Sequence, residues 1–429
     1  MAARARIVII GGGFGGLAAA KFLRGKPVDV TVIDRTNHHL FQPLLYQVAM
    51  AGLAPSDITV PIRWILRNER NASVIMGEVV SVDTAAREVV VDSLDAPVRY
   101  DALIVTAGSR HSYFGHEEWA AVAPGLKSLE DALDIRRRFL TAFEHAEQAP
   151  GAEQRDELMT FVIVGGGPTG VELAGMMIEI VRKAMPRDFR NIDTRTSRVI
   201  LVEAGPRLLP AMPEPSSARA RRDLERLGVE VRTGAAVTGV DAHGARIGNG
   251  LIRASNVFWA AGNQASPLGA MLGGPVDRAG RVLVGDDLSV PGRPEVFVAG
   301  DLAAVRRTDG SFVPGVAPAA MQEGRRAADN ALRIVHGETT NPFRYYNKGD
   351  LATIGRNRAI AVFGRFEVAG YPAWLLWLFV HILYLVGFRN RLSVLMQWAY
   401  AYFTFQRGVR LITAAERAAP AIAGPGDRP

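Results

Sequence analysis

The chain contains no cysteine among its 429 residues. This absence excludes disulfide bonds, thiolate metal sites and every dithiol redox mechanism. Any redox chemistry must therefore be supplied by a bound cofactor. We expect no metal site.

The sequence also lacks a run of about 18 uninterrupted apolar residues, the length that a membrane-spanning helix needs. Its first apolar run leads directly into Gly11, so it reads as a strand and not as a signal peptide, and we expect a cytosolic core. A net charge of +7 permits nucleic acid or an anionic membrane as partner. Because the aromatic and basic signatures of RNA-binding modules are absent, a membrane is the favoured partner and no nucleic acid is expected.

The sequence does contain two glycine-rich loops, each placed between an apolar strand and a helical pattern. In such a G-x-G-x-x-G turn the glycines permit the tight turn, the approach of a pyrophosphate and the packing of helix on strand. The phosphates then bind N–H groups at the positive end of the helix. The predicted dinucleotide-binding residues are Gly11, Gly13, Phe14, Gly15 and Gly16 in the first loop, and Gly165, Gly167, Pro168, Thr169 and Gly170 in the second. Two loops predict two dinucleotides, as electron transfer from nicotinamide to flavin requires.

Each loop has an acidic partner at the end of a following strand. Asp34, with Arg35 beside it, lies 23 residues after Gly11, and Glu203 lies after the second loop beyond a predicted insertion over 182–197. A carboxylate at this place accepts hydrogen bonds from an adenosine ribose. Glu203 would repel a 2′-phosphate and so favours NADH over NADPH, a preference that the nearby Arg207 would soften. The alternative for either acid is a solvated strand end.

The order of the strands predicts an α/β fold with two nested Rossmann-type dinucleotide-binding domains. Small-residue turns close the two units at Thr106, Ala107 and Gly108 and at Ala261 and Gly262, and the chain returns to the first unit through a strand that ends at Gly300 and Asp301. The predicted domains are 1–125 with 265–345 for FAD, 126–264 for NADH, 346–412 for a quinone site and membrane anchor, and 413–429 as a disordered tail.

Two features of the returning segment point to the flavin. An aspartate such as Asp301 in this architecture bonds the ribityl or phosphate part of FAD, although capping of the next helix is an alternative. The helix predicted over 317–335 has Ala317 and Met321 near its start. Its positive end would stabilise the anionic reduced flavin, whereas simple packing of an alanine-rich helix is the other interpretation.

Five segments together resemble the type II NADH dehydrogenases, which are NADH:quinone oxidoreductases that pump no protons. These segments are 41–49, 171–175, 296–301, 317–322 and 346–355. The resemblance implies that NADH reduces FAD and that the reduced FAD passes electrons to a membrane quinone. It also implies a respiratory role and a possible homodimer.

The resemblance further assigns roles to individual residues. Glu172 would position the nicotinamide or relay protons, and Lys348 would bond a quinone carbonyl, with Gln322 as a third catalytic residue. Tyr46, Gln47 and Leu351 are the residues that it places at the quinone. Family members often have glutamine where this chain has Pro318, which puts direct contact of that position with quinone in doubt. The alternatives are that Glu172 is an acid that only matches the helix dipole, that Lys348 is a solvated charge and that Tyr46 is a core residue.

The C-terminal stretch predicts attachment to the cytoplasmic face of the membrane without crossing it. An aromatic helix begins at Tyr371 and is too short to span a bilayer. The next helix, predicted over 392–412, carries a polar stripe of Ser393, Gln397, Thr404 and Arg407 on an apolar background, as an interfacial anchor does. A buried dimerisation helix is the alternative interpretation.

Other functional classes share the double glycine fingerprint. Sulfide:quinone oxidoreductases and disulfide reductases need redox cysteines, which this chain lacks. A soluble NAD(P)H-dependent flavin reductase or a redox-sensing flavoprotein stays open as the alternative function. Steady turnover of NADH with a quinone would distinguish the enzyme from a sensor that is reduced only once.

Overall fold

The computed structural model describes residues 4–404 and 409–412, and they form two compact units. The first unit comprises the described residues up to Phe41 together with Ile58–Gly115 and Gly262–Asp350. The second unit comprises Gln42–Asp57, His116–Ala261 and the described residues from Leu351 onward. Segment 42–57, which the sequence placed with the FAD-binding residues, thus clusters with the second unit, as does the C-terminal region.

The helices of the described residues differ in length from one turn to more than five turns. The α-helices are α1 Phe14–Phe22, α2 Leu45–Ala49, α3 Pro55–Ile58, α4 Ile62–Ile65, α5 Leu129–Gln148, α6 Ala152–Leu158, α7 Pro168–Glu179, α8 Glu214–Leu227, α9 Ala317–Val335, α10 Tyr371–Tyr384 and α11 Phe388–Thr404. A π-helical turn, Ile180–Ala184, extends α7. Short 3₁₀ turns occupy Gln42–Leu44, Glu117–Ala121, Thr194–Thr196, Pro267–Leu272 and Gly300–Leu302.

The strands alternate with these helices through most of the chain. Those of the N-terminal part are β1 Ala5–Ile10, β2 Val28–Asp34, β3 His38–Leu40, β4 Thr59–Pro61, β5 Ala72–Met76, β6 Val79–Asp83, β7 Glu88–Val91, β8 Val98–Arg99, β9 Ala102–Val105, β10 Ser109–His111, β11 Thr160–Val164, β12 Arg198–Glu203 and β13 Glu230–Thr233. They are followed by β14 Val237–Asp241, β15 Gly244–Ile247, β16 Gly250–Arg253, β17 Asn256–Trp259, β18 Asn263–Ala265, β19 Val282–Leu283, β20 Ser289–Val290, β21 Arg293–Val298, β22 Ala303–Ala304, β23 Asp350–Gly355, β24 Arg358–Phe363 and β25 Phe366–Gly370.

A six-stranded sheet forms the centre of the first unit, in the order β20-β21-β9-β1-β2-β5. Only the edge strand β20 is antiparallel to its neighbour. The inner strands read as continuous apolar runs because helices cover both faces of a parallel sheet. The paired carboxyl ends of β1, β9 and β21 bring the first glycine loop, Thr106 and Asp301 to one edge, where ligands bind in such sheets.

The second unit repeats this plan with a parallel sheet in the order β13-β12-β11-β17. Two three-stranded sheets accompany it, β14-β15-β16 and β23-β24-β25. The nested order of strands predicted from the sequence is confirmed, including the return of the chain through β21 into the sheet of the first unit. No helix in the described residues is both long enough and apolar enough to cross a membrane.

The last helix differs from its prediction in extent. It begins at Phe388 and ends at Thr404, whereas residues 409–412 are not helical. Arg407 and the predicted disordered tail 413–429 lie outside the described residues. The polar residues Ser393 and Gln397 of the predicted stripe face the protein and bond Asp57. Sequence periodicity shows which residues share a face but not which way that face points.

Candidate active site

The first glycine loop has the geometry of a phosphate cradle. Gly11 adopts φ +99°, in the region that only glycine enters freely, and a Cβ on Gly16 would lie 1.8 Å from the Gly11 carbonyl oxygen. A Cβ on Gly13 would meet no atom within 4 Å, so the start of α1 is open at that point. The loop therefore closes tightly on one side and leaves room for a pyrophosphate on the other.

Asp34 lies beside this loop, as the sequence predicted. Its carboxylate accepts hydrogen bonds from the Gly12 N–H at 2.6 Å and from the Thr36 hydroxyl at 2.8 Å. Arg35 is exposed, and the ring of Phe14 meets the buried ring of His39 edge to face at 4.9 Å. The carboxylate is thus fixed at the loop, where an adenosine ribose would bond it.

A cavity of about 170 Å³ lies at the returning strand and includes Gly300, Asp301 and Glu323 in its lining. The Ser109 hydroxyl donates to Asp301 at 2.7 Å, and the Gly300 N–H donates to Glu323 at 2.6 Å. Burial, aided by the charge of Asp301, raises the pKa of Glu323 to about 7. Sequence reasoning missed Ser109 and Glu323, although a carboxylate in an alanine-rich helix was a visible signal. Thr106 bonds the Gly11 carbonyl oxygen at 2.9 Å through its hydroxyl.

The start of α9 lies against the first glycine loop. A Cβ on Gly324 would stand 2.1 Å from the Gly15 carbonyl oxygen, so only glycine permits this approach. The predicted residues Ala317 and Met321 are half-buried in the first turns. The Gln322 amide exchanges hydrogen bonds with the Tyr346 backbone, at 3.1 Å in both directions. Gln322 therefore holds the segment that carries Lys348, which is itself exposed in the first unit.

The second loop repeats the cradle around Gly165, which has φ +115°. The Glu203 carboxylate accepts hydrogen bonds from the N–H groups of Gly166 and Gly205, both at 2.6 Å. Arg207, expected to soften the preference for NADH, instead donates to the Met212 and Pro210 carbonyl oxygens and to a serine hydroxyl. These bonds hold the Arg207 guanidinium at its own loop. The charged side chain that bonds the second glycine loop is therefore that of Glu203.

Glu172 projects from α7 where this helix meets β23. A Cβ on Gly175 would lie 1.7 Å from the Ile354 carbonyl oxygen, so the two backbones are in direct contact. The Glu172 carboxylate accepts a hydrogen bond from the Thr353 N–H, and burial raises its pKa from 4.5 to about 8. The side chain is thus largely protonated at neutral pH and can donate or accept a proton there.

A cavity of about 110 Å³ adjoins Glu172 within the second unit. It brings together the predicted residues Tyr46, Gln47 and Glu172, whose side chains are half-buried or buried. The rest of its lining contains the acidic Glu179 and the polar Thr353 beside aromatic, aliphatic and basic residues, among them Met176, Lys183, Arg356, Trp374, Trp377, Trp398 and Tyr402. The described lining does not include Leu351, which was predicted to contact quinone.

Sequence reasoning missed three residues that shape this cavity. The Trp398 indole N–H donates to Gln47 at 2.8 Å. Arg136 is buried on α5 and donates to the carbonyl oxygens of Val48 and Leu53 at 2.8 and 2.9 Å, which fixes the end of α2. The indole N–H of buried Trp377 has no hydrogen-bond partner among the described residues. The contacts of Trp398 and Arg136 join segments that are far apart in the chain, so no spacing in the sequence marks them.

Residues 5–324 match the pyridine nucleotide-disulphide oxidoreductase family, and residues 347–407 match the NDH2 C-terminal domain. Two relatives are type II NADH:quinone oxidoreductases of Mycobacterium tuberculosis. The chain is 46% identical to NdhA and 44% identical to Ndh, and each alignment covers 96% of this chain and 90% of the relative.

Solved structures share the fold at lower sequence identity. NDH2 from Plasmodium falciparum, solved in complex with NADH, is 20% identical with a TM-score of 0.88, and the alignment covers 96% of this chain and 100% of that one. The sulfide:quinone oxidoreductase of Aquifex aeolicus is 18% identical with a TM-score of 0.71, over 94% and 95% of the two chains. At these identities the likeness concerns the fold alone.

We predict that Glu172 makes stability fall as pH rises from 4.5 to about 8. In this window the folded chain keeps a proton that the unfolded chain has lost, so unfolding releases a proton and becomes easier at higher pH. The slope is at most roughly 1 kcal/mol per pH unit, and water in the cavity reduces it. The stability of Glu172→Gln, measured by thermal unfolding, should lack this pH-dependent component. Its melting temperature should therefore rise relative to that of the wild type as pH increases. The surface change Glu225→Gln is the control, and equal pH slopes in all three proteins would disprove the assignment.

Proposed function

This chain belongs to the type II NADH:quinone oxidoreductase family, and we propose on that premise that it passes electrons from NADH through FAD to a membrane quinone. The family and the two nested dinucleotide-binding domains predicted from the sequence are confirmed, as are FAD and NADH. The observation that carries the proposal is the cavity of the second unit, where a carboxyl group of raised pKa meets an aromatic lining.

The residues of the first unit fit FAD. Gly11, Gly13 and Gly16 would cradle the pyrophosphate of FAD, and Asp34 would accept hydrogen bonds from its ribose. Asp301 lines the adjoining cavity, where its carboxylate would bond the ribityl or phosphate part. FAD supplies the two-electron acceptor that a chain without cysteine cannot provide from its own side chains. The second loop with Glu203 supplies the corresponding groups for NADH. These assignments are proposals for individual residues.

The second-unit cavity fits the head of a quinone. Its aromatic lining suits a flat ring, and the unpaired indole N–H of Trp377, the Tyr46 hydroxyl and the Gln47 amide are groups that bond carbonyl oxygens. Reduction of a quinone to a quinol consumes two protons. Glu172 can deliver one of them from its carboxyl oxygen, because its pKa lies near the pH at which the enzyme works.

The two C-terminal helices present an apolar surface that suits a membrane. Its exposed members are Tyr371, Leu375, Phe379, Leu383, Phe388, Leu392, Leu395, Met396, Tyr400 and Phe403. A contiguous patch of this kind marks a membrane or protein interaction site. Because quinones dissolve in lipid and NADH in water, we propose peripheral attachment at the cytoplasmic face of the membrane. A homodimer that buries the same helices is the competing assembly.

The function is tested by measuring the two half-reactions separately. Stopped-flow reoxidation of the reduced flavin by quinone should slow at least tenfold in Glu172→Gln and in Lys348→Met, a loss of about 1.4 kcal/mol of transition-state stabilisation. Reduction by NADH should be less affected in Lys348→Met. Glu225→Gln and Lys26→Met, which change exposed charges, are the matched controls. If the wild type is reduced once and not reoxidised by any quinone, the redox-sensing alternative holds.

We expect the catalytic efficiency with NADH to exceed that with NADPH at least tenfold. Glu203 would face the 2′ position, and a repulsion of about 1.4 kcal/mol already gives this ratio. Steady-state kinetics should show that Glu203→Gln narrows the gap by improving NADPH, because the amide keeps an acceptor but loses the charge. Glu230→Gln, on the neighbouring strand β13, should leave the ratio unchanged. Equal efficiency of the wild type with both nucleotides would contradict this role of Glu203.

Membrane attachment should depend on the apolar side of α10 and α11. Phe379→Glu and Phe403→Glu place charges where 65% and 80% of the side chain is exposed, so folding should be preserved. Co-sedimentation with vesicles containing anionic lipid should fall at least fivefold, or about 1 kcal/mol. Leu251→Glu changes an exposed leucine on β16 and is the control. Unchanged vesicle binding would place the anchor elsewhere, and loss of a dimer in solution would identify a subunit interface.

A further inference from the structure

Asp57 is a buried carboxylate with more hydrogen bonds than the short helix that carries it requires. Its side chain is on α3, and the residue is 6% exposed. One oxygen accepts from the Ser393 hydroxyl at 2.9 Å. The other accepts from the Gln397 amide at 2.9 Å and from the Ala54 N–H at 2.8 Å. Only the bond to Ala54 serves the local turn, so two of the three bonds join α3 to α11.

The residues of α11 that face α3 form one polar stripe. Asn390, Ser393 and Gln397 are separated by three and four positions, which places them on the same side of a helix. Asn390 adds a bond to the Ser56 carbonyl oxygen at 3.1 Å, and Gln397 also donates to Ser393 at 3.0 Å. The side of α11 that faces the protein therefore carries this polar stripe beside the buried Val394, and several large apolar side chains lie on the exposed side.

An ordinary surface helix buries its apolar side, whereas α11 leaves several large apolar side chains exposed. Leu395 is 50% exposed, Met396 62% and Phe403 80%. Burial of apolar surface in water does not account for the outward direction of these side chains. Hydrophobic burial alone does not specify the observed rotation. The hydrogen bonds to Asp57 do, because a rotated helix would leave the buried carboxylate without two of its donors.

The rotation of α11 matters because the next residue along the helix reaches the cavity. Trp398 follows Gln397 and donates its indole N–H to the Gln47 side-chain oxygen at 2.8 Å. The Gln47 amide in turn donates to the Tyr46 hydroxyl at 3.0 Å, and all three side chains line the cavity. A change in rotation would withdraw Trp398 and release Gln47.

We propose that Asp57 is a positioning residue that fixes the rotation of α11, and thereby holds Trp398 on Gln47 at the cavity that receives the quinone head. The carboxylate touches neither substrate nor cofactor in this role and acts through the helix. The kinetic part of the proposal rests on the proposed quinone function. The part that concerns the rotation of the helix does not.

The rotation can be measured directly because every thiol in this chain has to be introduced. Val394 is 0% exposed and its neighbour Leu395 is 50% exposed. In the full-length protein in detergent, maleimide should label Leu395→Cys much faster than Val394→Cys. Adding Asp57→Ala should reduce the ratio of the two labelling rates at least fivefold. Adding Thr404→Ala, which removes an exposed hydroxyl of the same helix, should leave the ratio unchanged.

A second set of variants covers the case in which Asp57→Ala does not fold. Ser393→Ala combined with Gln397→Leu removes the donors on α11 and leaves the bond between Asp57 and Ala54. This double variant should reduce the ratio of labelling rates in the same way, and Asp57→Asn should have a smaller effect because it keeps one acceptor oxygen. A ratio that stays at the wild-type value in the double variant overturns the proposal.

Kinetics separate positioning from general loss of structure. In the same double variant the KM for a long-tailed quinone should rise at least fivefold, while the rate of flavin reduction by NADH stays within about twofold of the wild type. A fall in flavin content together with both rates would overturn the positioning role. Absence of quinone turnover in the wild type would instead overturn the proposed function, and the labelling result would still stand by itself.

Discussion

The contact between the backbones of α7 and β23 at Gly175 is the constraint on which the second-unit cavity depends. A Cβ at this position would stand 1.7 Å from the Ile354 carbonyl oxygen, so any side chain would separate the two elements. Because they meet, Glu172 lies one turn before the contact and accepts from the Thr353 N–H. Glu179 lies one turn after it and accepts from the Arg356 N–H at 2.6 Å. The backbone contact at Gly175 thus fixes the position of the Glu172 carboxyl group.

Each unit contains a glutamate whose pKa lies near neutrality, about 7 for the buried Glu323 and about 8 for the half-buried Glu172. The main cause is the same in each: burial disfavours the charged form, and the hydrogen bond that a backbone N–H donates, that of Gly300 to Glu323 and that of Thr353 to Glu172, offsets only part of that cost. A neutral carboxyl group adds no negative charge to the cavity that it lines. It also keeps a proton available, which an ordinary exposed carboxylate would have lost at this pH.

The sequence predicts those parts of the fold and site that depend on local chemistry. The glycine spacing identified both cradles, the strand ends identified Asp34 and Glu203, and an alanine-rich segment with a proline in its first turn gave the bounds of α9. Contacts between distant segments leave no such signal. Arg136 contacts α2 from α5, and no spacing could show it. The loop that captures Arg207 likewise depends on three acceptors whose positions only the folded chain defines.

The orientation of α11 shows the same division between local pattern and tertiary context. The polar stripe was visible in the sequence, but a helix that turns such a stripe to solvent and one that turns it to the protein have the same periodicity. What distinguishes them is Asp57, more than 300 residues earlier in the chain, to which Ser393 and Gln397 donate. A buried carboxylate needs such donors more than an apolar side chain needs burial, because an unmade bond to a charge costs more than an exposed leucine. One acidic residue in a short helix thus bonds the protein-facing side of α11 and leaves large apolar side chains on the surface that the proposed membrane attachment would use.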